Sequence, residues 1–204
     1  MGTINAKGAT YSYGLSAYSY ADDSNIVIAN SGTITASSGT SYGVHALTIG
    51  YNSDVVVENY GRIEAKGTAV DIESNYGAAL LENYGHIKGG NLGILISGDG
   101  QTGIINHGSI TADSLYAIKL VPGSGYGDQG SIVNFGSITG FVKVFGLGGH
   151  DQFAFVNEKG ACSRLAGRAF WAAATSSTKK GPRCTRLRTP AAPRRLRSQV
   201  CIRF

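Results

Sequence analysis

Cysteine is absent from the first 160 residues of this 204-residue chain, and acidic side chains are absent from the last 44. The first absence means that the larger part is not crosslinked; it suits an exported protein or one stabilised by stacking. No stretch approaches the roughly 18 apolar residues of a membrane helix. Met1 leads into GTINAKG without a basic n-region or an apolar h-region, so this chain shows no signal peptide, and a segment that exports it is expected outside these residues. The second absence divides the molecule electrically. Residues 1–160 hold 7 Lys/Arg against 13 Asp/Glu, a net of 7 − 13 = −6, while 161–204 hold the other 11 Lys/Arg and no acid, a net of +11. The overall +5 therefore averages an acidic body and a basic tail. Cys162, Cys184, Cys201, Trp171 and three of the four prolines all fall in that tail.

What the body has is a repeat. Asn-x-Gly-x-Ile occurs five times, as NSGTI (Asn30–Ile34), NYGRI (Asn59–Ile63), NYGHI (Asn83–Ile87), NHGSI (Asn106–Ile110) and NFGSI (Asn134–Ile138). The asparagines are 29, 24, 23 and 28 residues apart, and GTI at Gly2–Ile4 reads as a sixth copy without its asparagine. An aliphatic residue stands two positions before each Asn: Ile28, Val57, Leu81, Ile104 and Ile132. With a side-chain period of two, positions −2, 0, +2 and +4 share one strand face, and that face is constant while the other varies. A second apolar-flanked strand follows each copy, such as YGVHA, TAVDI and YAIKL, after turns such as SSGTS and GGN.

One unit of about 25 residues cannot bury its own apolar face, but stacked units can. The pattern predicts an all-β fold: a right-handed parallel β-helix of about six coils over residues 1–160, followed by an irregular basic tail over 161–204. At about 4.8 Å per rung, the rod is roughly 29 Å long. Inward Asn30, Asn59, Asn83, Asn106 and Asn134 are expected to form a structural amide ladder. Glycine two residues later is expected at a tight bend or close backbone approach. A leucine-rich horseshoe is the rival solenoid; the leucine spacing and the lack of helical segments exclude it.

The phrases ENYGHIKG, NHGSITA and NFGSITG, followed by VFGLGGHDQFAFVNEKG, resemble the passenger region of bacterial autotransporters, the pertactin-like β-helices. The resemblance spans about Gly2–Lys159 and rests on the reiteration of weak motifs. It implies an elongated stalk at the cell surface, at the outer membrane or outside the cell, tethered to an outer-membrane β-barrel that this chain lacks. It also implies a structural or adhesive role, serving attachment or virulence, with a host-cell protein or glycan as partner. After Lys159 the chain departs from that pattern: glycine drops to two residues in 161–204, and Arg, Ala, Pro, Ser and Thr dominate. This composition fits a shifted reading frame or a disrupted gene end, so the expectation is an incomplete passenger with a disordered tail.

Several constellations bear on chemistry. One residue after each Asn, Tyr60, Tyr84, His107 and Phe135 form an outward column; the plain reading is cross-rung stacking, and the functional one is a contact ridge. Ser16, His45 and Asp71 occupy one outward column, which invites a nucleophile–base–orienter reading, although solvated polar residues are the default. Asp22, Asp23, Asp54, Glu58, Asp71 and Glu73 are the acids a polysaccharide-active β-helix enzyme would draw on. They scatter over different columns, so no catalytic residue is assigned and an enzyme is only the alternative reading. GLGGHDQF (Gly146–Phe153) is a single imperfect calcium-type nonapeptide, and the four His lack zinc-ligand spacing, so no metal or cofactor is expected. Eleven tail cations attract anions non-specifically, but a specific nucleic-acid role is not expected.

Overall fold

Alternating burial makes these segments strands: in Val55–Asn59, the side chains of Val55, Val57 and Asn59 are buried, while those of Val56 and Glu58 reach outward. The computed structural model describes residues 2–122, 129–145, 152–158 and 162–165. Strands β1 (Thr3–Ala6) and β2 (Tyr11–Ser19) open the stack. Three-stranded turns follow: β3 (Ile26–Asn30), β4 (Thr33–Ala36) and β5 (Thr40–Thr48), then β6 (Val55–Asn59), β7 (Arg62–Ala65) and β8 (Thr68–Ser74), then β9 (Ala79–Asn83), β10 (His86–Gly89) and β11 (Leu92–Gly98). β12 (Thr102–Asn106) leads into β13 (Ser109–Pro122), one long strand that covers two sides. β14 (Gln129–Asn134) and β15 (Ser137–Val144) repeat that arrangement, and β16 (Gln152–Asn157) and β17 (Cys162–Leu165) end it.

All the described pairings are parallel, so the fold is a β-solenoid, as the repeat predicts. β3, β6, β9, β12, β14 and β16 form a six-stranded sheet, here called the first face. The other strands form an 11-stranded sheet, bent through β13 into two further faces. The second face holds β1, β4, β7, β10 and the start of β13; the third holds β2, β5, β8, β11 and its end. Complete turns number fewer than the six expected: β1–β2 lacks a strand on the first face, and in the last coil the four residues of β17 are shared between the second and third faces, against Ser137 and Val142. β17 lies just past residue 160 and pairs with β15, Ser137 opposite Cys162 and Val142 opposite Leu165.

Each complete turn thus has three sides, where the two-residue period suggested two strands. The difference lies in Asn-x-Gly, which is a corner between faces. Its Asn and Ile both point inward, with Asn59 and Ile63 at 0 % exposure, whereas Gly61 is half-buried at the bend. Successive corner glycines stack backbone on backbone. A Cβ added at Gly61 would lie 2.0 Å from the Gly32 carbonyl oxygen, and one at Gly85 would lie 2.0 Å from that of Gly61. The need for glycine here is close approach. The Asn30 carbonyl accepts both Tyr60 N–H (2.8 Å) and Gly61 N–H (3.1 Å) from the next coil, so the corner stays hydrogen-bonded.

Inside, columns of like residues run along the axis. Ile34, Ile63, Ile87, Ile110 and Ile138 form one, all at 3 % exposure or less. Val44, Val70, Ile94, Ile118 and Val142 form another from the third face. Each buried Ile is worth about 1.5–3 kcal/mol relative to exposure, an upper figure because unfolded chains also bury apolar surface.

Candidate functional site

The fixed inward positions leave function to the outward columns, and three of these group chemically interesting side chains. The asparagines at their base are structural. Asn30 Nδ2 donates to Asn59 Oδ1 at 2.8 Å, Asn59 to Asn83 at 2.8 Å, Asn83 to Asn106 at 2.7 Å and Asn106 to Asn134 at 2.7 Å. The ladder continues one rung further than the motif indicates, since Asn134 Nδ2 donates to Asn157 Oδ1 at 2.8 Å. Asn157 lacks the Gly-x-Ile that marks the others; its signal was the apolar residue two positions earlier, Phe155. Each amide also reaches corner carbonyls, as Asn59 Nδ2 does to Gly61 O at 3.3 Å.

The ridge column stands outside this ladder. Tyr60 and Tyr84 stack at 5.0 Å and 5°, Tyr84 and His107 at 4.7 Å and 2°, and His107 and Phe135 at 4.6 Å and 3°. Parallel stacking along the axis means that neighbours cover each other's ring faces, and the ridge offers solvent its ring edges. The residue before each Asn completes the surface. Tyr60 Oη donates to Glu58 and Tyr84 Oη to Glu82, each at 3.2 Å, while Ile105 and Val133 occupy that column beside His107 and Phe135. The ridge is therefore acidic and hydroxylated over two rungs and apolar over the next two. Attention to the Asn+1 column alone misses Ile105 and Val133; the pairs EN, EN, IN and VN carry the signal.

The third face carries a denser cluster. Register places Ser16 opposite His45 and His45 opposite Asp71, as the spacing indicates. His45 does not serve Ser16, however. Its Nδ1 is hydrogen-bonded to Tyr18 Oη at 2.8 Å, and its Nε2 lies 3.8 Å from Asp71 Oδ2. Tyr13 and Tyr42 stack beside it at 5.2 Å and 7°. Asp71 is 8 % exposed, and burial, reinforced by the Glu73 charge, raises its carboxyl to about 7. Burial lowers the His45 imidazole, with Glu73 opposing. Near neutral pH the imidazole thus favours its neutral form and the Asp71 carboxyl is partly protonated.

Of the other candidate acids, Asp22, Asp23 and Asp54 serve the turns: they accept Tyr51 N–H (2.8 Å), Asn52 Nδ2 (2.7 Å) and Ala78 N–H (2.7 Å) respectively. On the second face, Arg62 pairs with Glu64, and His86 Nε2 lies 3.8 Å from the same carboxylate. His86 Nδ1 also contacts Ser109 Oγ at 2.6 Å. Further along the third face, Lys119 and Lys143 both lie over the Tyr116 ring, at 5.1 and 5.5 Å. No group of three or more His, Cys, Asp or Glu close enough to hold a metal occurs among the described residues. His150, Asp151, Cys184 and Cys201 lie outside the described residues.

The fold and its outward columns define a three-faced parallel β-solenoid with varied surface chemistry. No protein-family model, curated protein or solved structure matches the chain.

Proposed function

We propose that this chain is a stalk segment of the autotransporter-passenger type, displayed at the cell surface or released, with a structural and adhesive role. The observation that carries the reading is the exposed ridge from Tyr60 to Phe135, held in register on a rigid amide-laddered rod. A rod whose inward residues are committed to stacking can vary its outward residues at little cost to the fold, which suits a surface presented to a partner. Since the ring faces within the stack are spent on one another, the ridge suits a host-cell surface protein, meeting its edges and the neighbouring Ile105 and Val133. The test is binding of the labelled 204-residue chain to cultured host cells. Replacing Tyr60, Tyr84, His107 and Phe135 together with Ser should reduce binding at least about tenfold while the far-ultraviolet spectrum stays β-rich. Unchanged binding by that variant, or none by the parent, would sink the reading. Protease treatment of intact producing cells should remove the protein; protection from protease would count against display.

A polysaccharide-active enzyme is the second reading, favoured by the His45–Asp71 pair and its neutral-leaning carboxyl. It requires release of new chain ends from a polysaccharide by the parent and none by His45→Ala.

A further inference from the structure

We propose that the outward surface of the third face, from β5 to β15, pairs with the same surface of a second, antiparallel copy of this chain, the acidic half of each meeting the basic half of the other. It goes beyond the adhesive reading and does not rest on it, since the ridge stands at the corner between the other two faces.

The first observation is the order of charges. Register puts His45, Asp71, Leu95, Lys119 and Lys143 in one outward column, with Glu73 two residues along the strand from Asp71. Both acids therefore stand on one side of Leu95 and both lysines on the other. The column lies inside the stack, with β2 paired beyond β5 and β17 beyond β15.

The second observation is that neither half is answered within its own chain. The nearest described cationic candidate to Asp71 is His45 Nε2 at 3.8 Å, and Glu73 forms no described ion pair. No described carboxylate pairs with Lys119 or Lys143; both lie over the Tyr116 ring, and Lys143 over Phe145 at 3.9 Å. On the second face, by contrast, Lys88 meets Asp113 at 3.1 Å and Arg62 meets Glu64. Asp71 is the costlier case, an acid at 8 % exposure that accepts no hydrogen bond from any described residue.

The third observation is geometric. Two such faces meet column on column when a two-fold axis runs along the strands, and the rods then point in opposite directions. With the axis at Leu95, that residue meets its own copy, Asp71 meets Lys119 of the second copy, and Lys119 meets its Asp71. Glu73 adds a second carboxylate beside the one that Lys119 approaches. Lys143 falls opposite His45, whose imidazole burial keeps neutral, so no like charges meet. An axis along the rod would instead put Asp71 on Asp71 and Lys119 on Lys119, which repel. Strands of 7 residues at about 3.3 Å and five rungs at about 4.8 Å give roughly 550 Å² a side, the size of a weak, reversible contact.

The test is sedimentation velocity of the 204-residue chain at about pH 8, where Asp71 is mostly ionised. The parent should form a dimer that dissociates as salt rises. An acid-only face, Lys119→Glu with Lys143→Glu, and a base-only face, Asp71→Asn with Glu73→Lys, should each weaken self-association at least about tenfold. An equimolar mixture of the two variants should dimerise again, which also shows that both are folded. In a mixture of isotope-labelled and unlabelled parent, a carbodiimide should join Lys119 of one copy to Asp71 or Glu73 of the other. A parent that stays monomeric up to about 1 mM would overturn the proposal. So would association undiminished in either variant, as contact through the basic tail or through the edges of β1 and β2 would give. A variant mixture that stays monomeric, or links between copies that leave out Lys119, would overturn it equally.

Discussion

Asn83 shows what one inward polar residue is worth. It accepts from Asn59 and donates to Asn106 at 0 % exposure, so Asn83→Ala strands one donor and one acceptor in the core. The expected loss is about 2–4 kcal/mol in urea unfolding, against under about 0.5 kcal/mol for outward Thr35→Ser. Gly85→Ala should cost a similar amount for another reason: its new Cβ would sit 2.0 Å from a backbone carbonyl that the corner holds in place. Asp71 connects stability to pH. With its carboxyl raised from 3.8 to about 7, the folded chain binds that proton more tightly than the unfolded chain. The resulting stability is fully present below about pH 4 and is lost as pH rises to about 7. Asp71→Asn removes that slope and should exceed the parent at alkaline pH by up to roughly 4 kcal/mol, with near-equality at about pH 4. His45, lowered by burial, has the opposite slope below its ordinary 6.5, so the comparison is made at each pH in urea.

Among the elements, the ridge adds strength as a stack. Tyr84→Ser with His107→Ser breaks all three ring pairs and should cost about 1–4 kcal/mol, more than the sum of the two single changes to Phe at either position. Denaturant unfolding of the singles and the double measures this. The strands themselves were legible from period alone, because the inward residues at −2, 0 and +4 around each Asn are buried as the alternation requires. The corner was not legible. Asn, Gly and Ile keep the two-residue spacing straight through the bend, and only the carbonyl-on-glycine stacking of Gly32, Gly61 and Gly85 shows the backbone turning. β13 hides its corner further, since Ala112–Leu115 contains no glycine or proline and the strand runs on to Pro122.

At the scale of the molecule, among the described residues β1 and β2 are each paired on one side only, an open row of backbone donors and acceptors. Tyr11 and Tyr20 flank that edge at 61 % and 69 % exposure. The 204-residue chain should therefore self-associate with rising concentration, and Tyr11→Lys with Ser16→Lys should reduce this in sedimentation velocity, because like charges on an edge oppose pairing. Equal association of parent and variant would place the contact elsewhere. The repeat alone establishes a stacked β architecture, its inward Asn and Ile columns and the outward aromatic column, because those depend on periodicity and side-chain type, which a linear chain displays. The same repeat aligns the outward columns, as it does for Ser16, His45 and Asp71, but which neighbour each side chain in them reaches depends on its orientation and burial. Side-chain orientation and burial, available only in the folded rod, pair His45 with Tyr18 instead of Ser16, extend the ladder to Asn157 and enclose Asp71 without a hydrogen-bond donor.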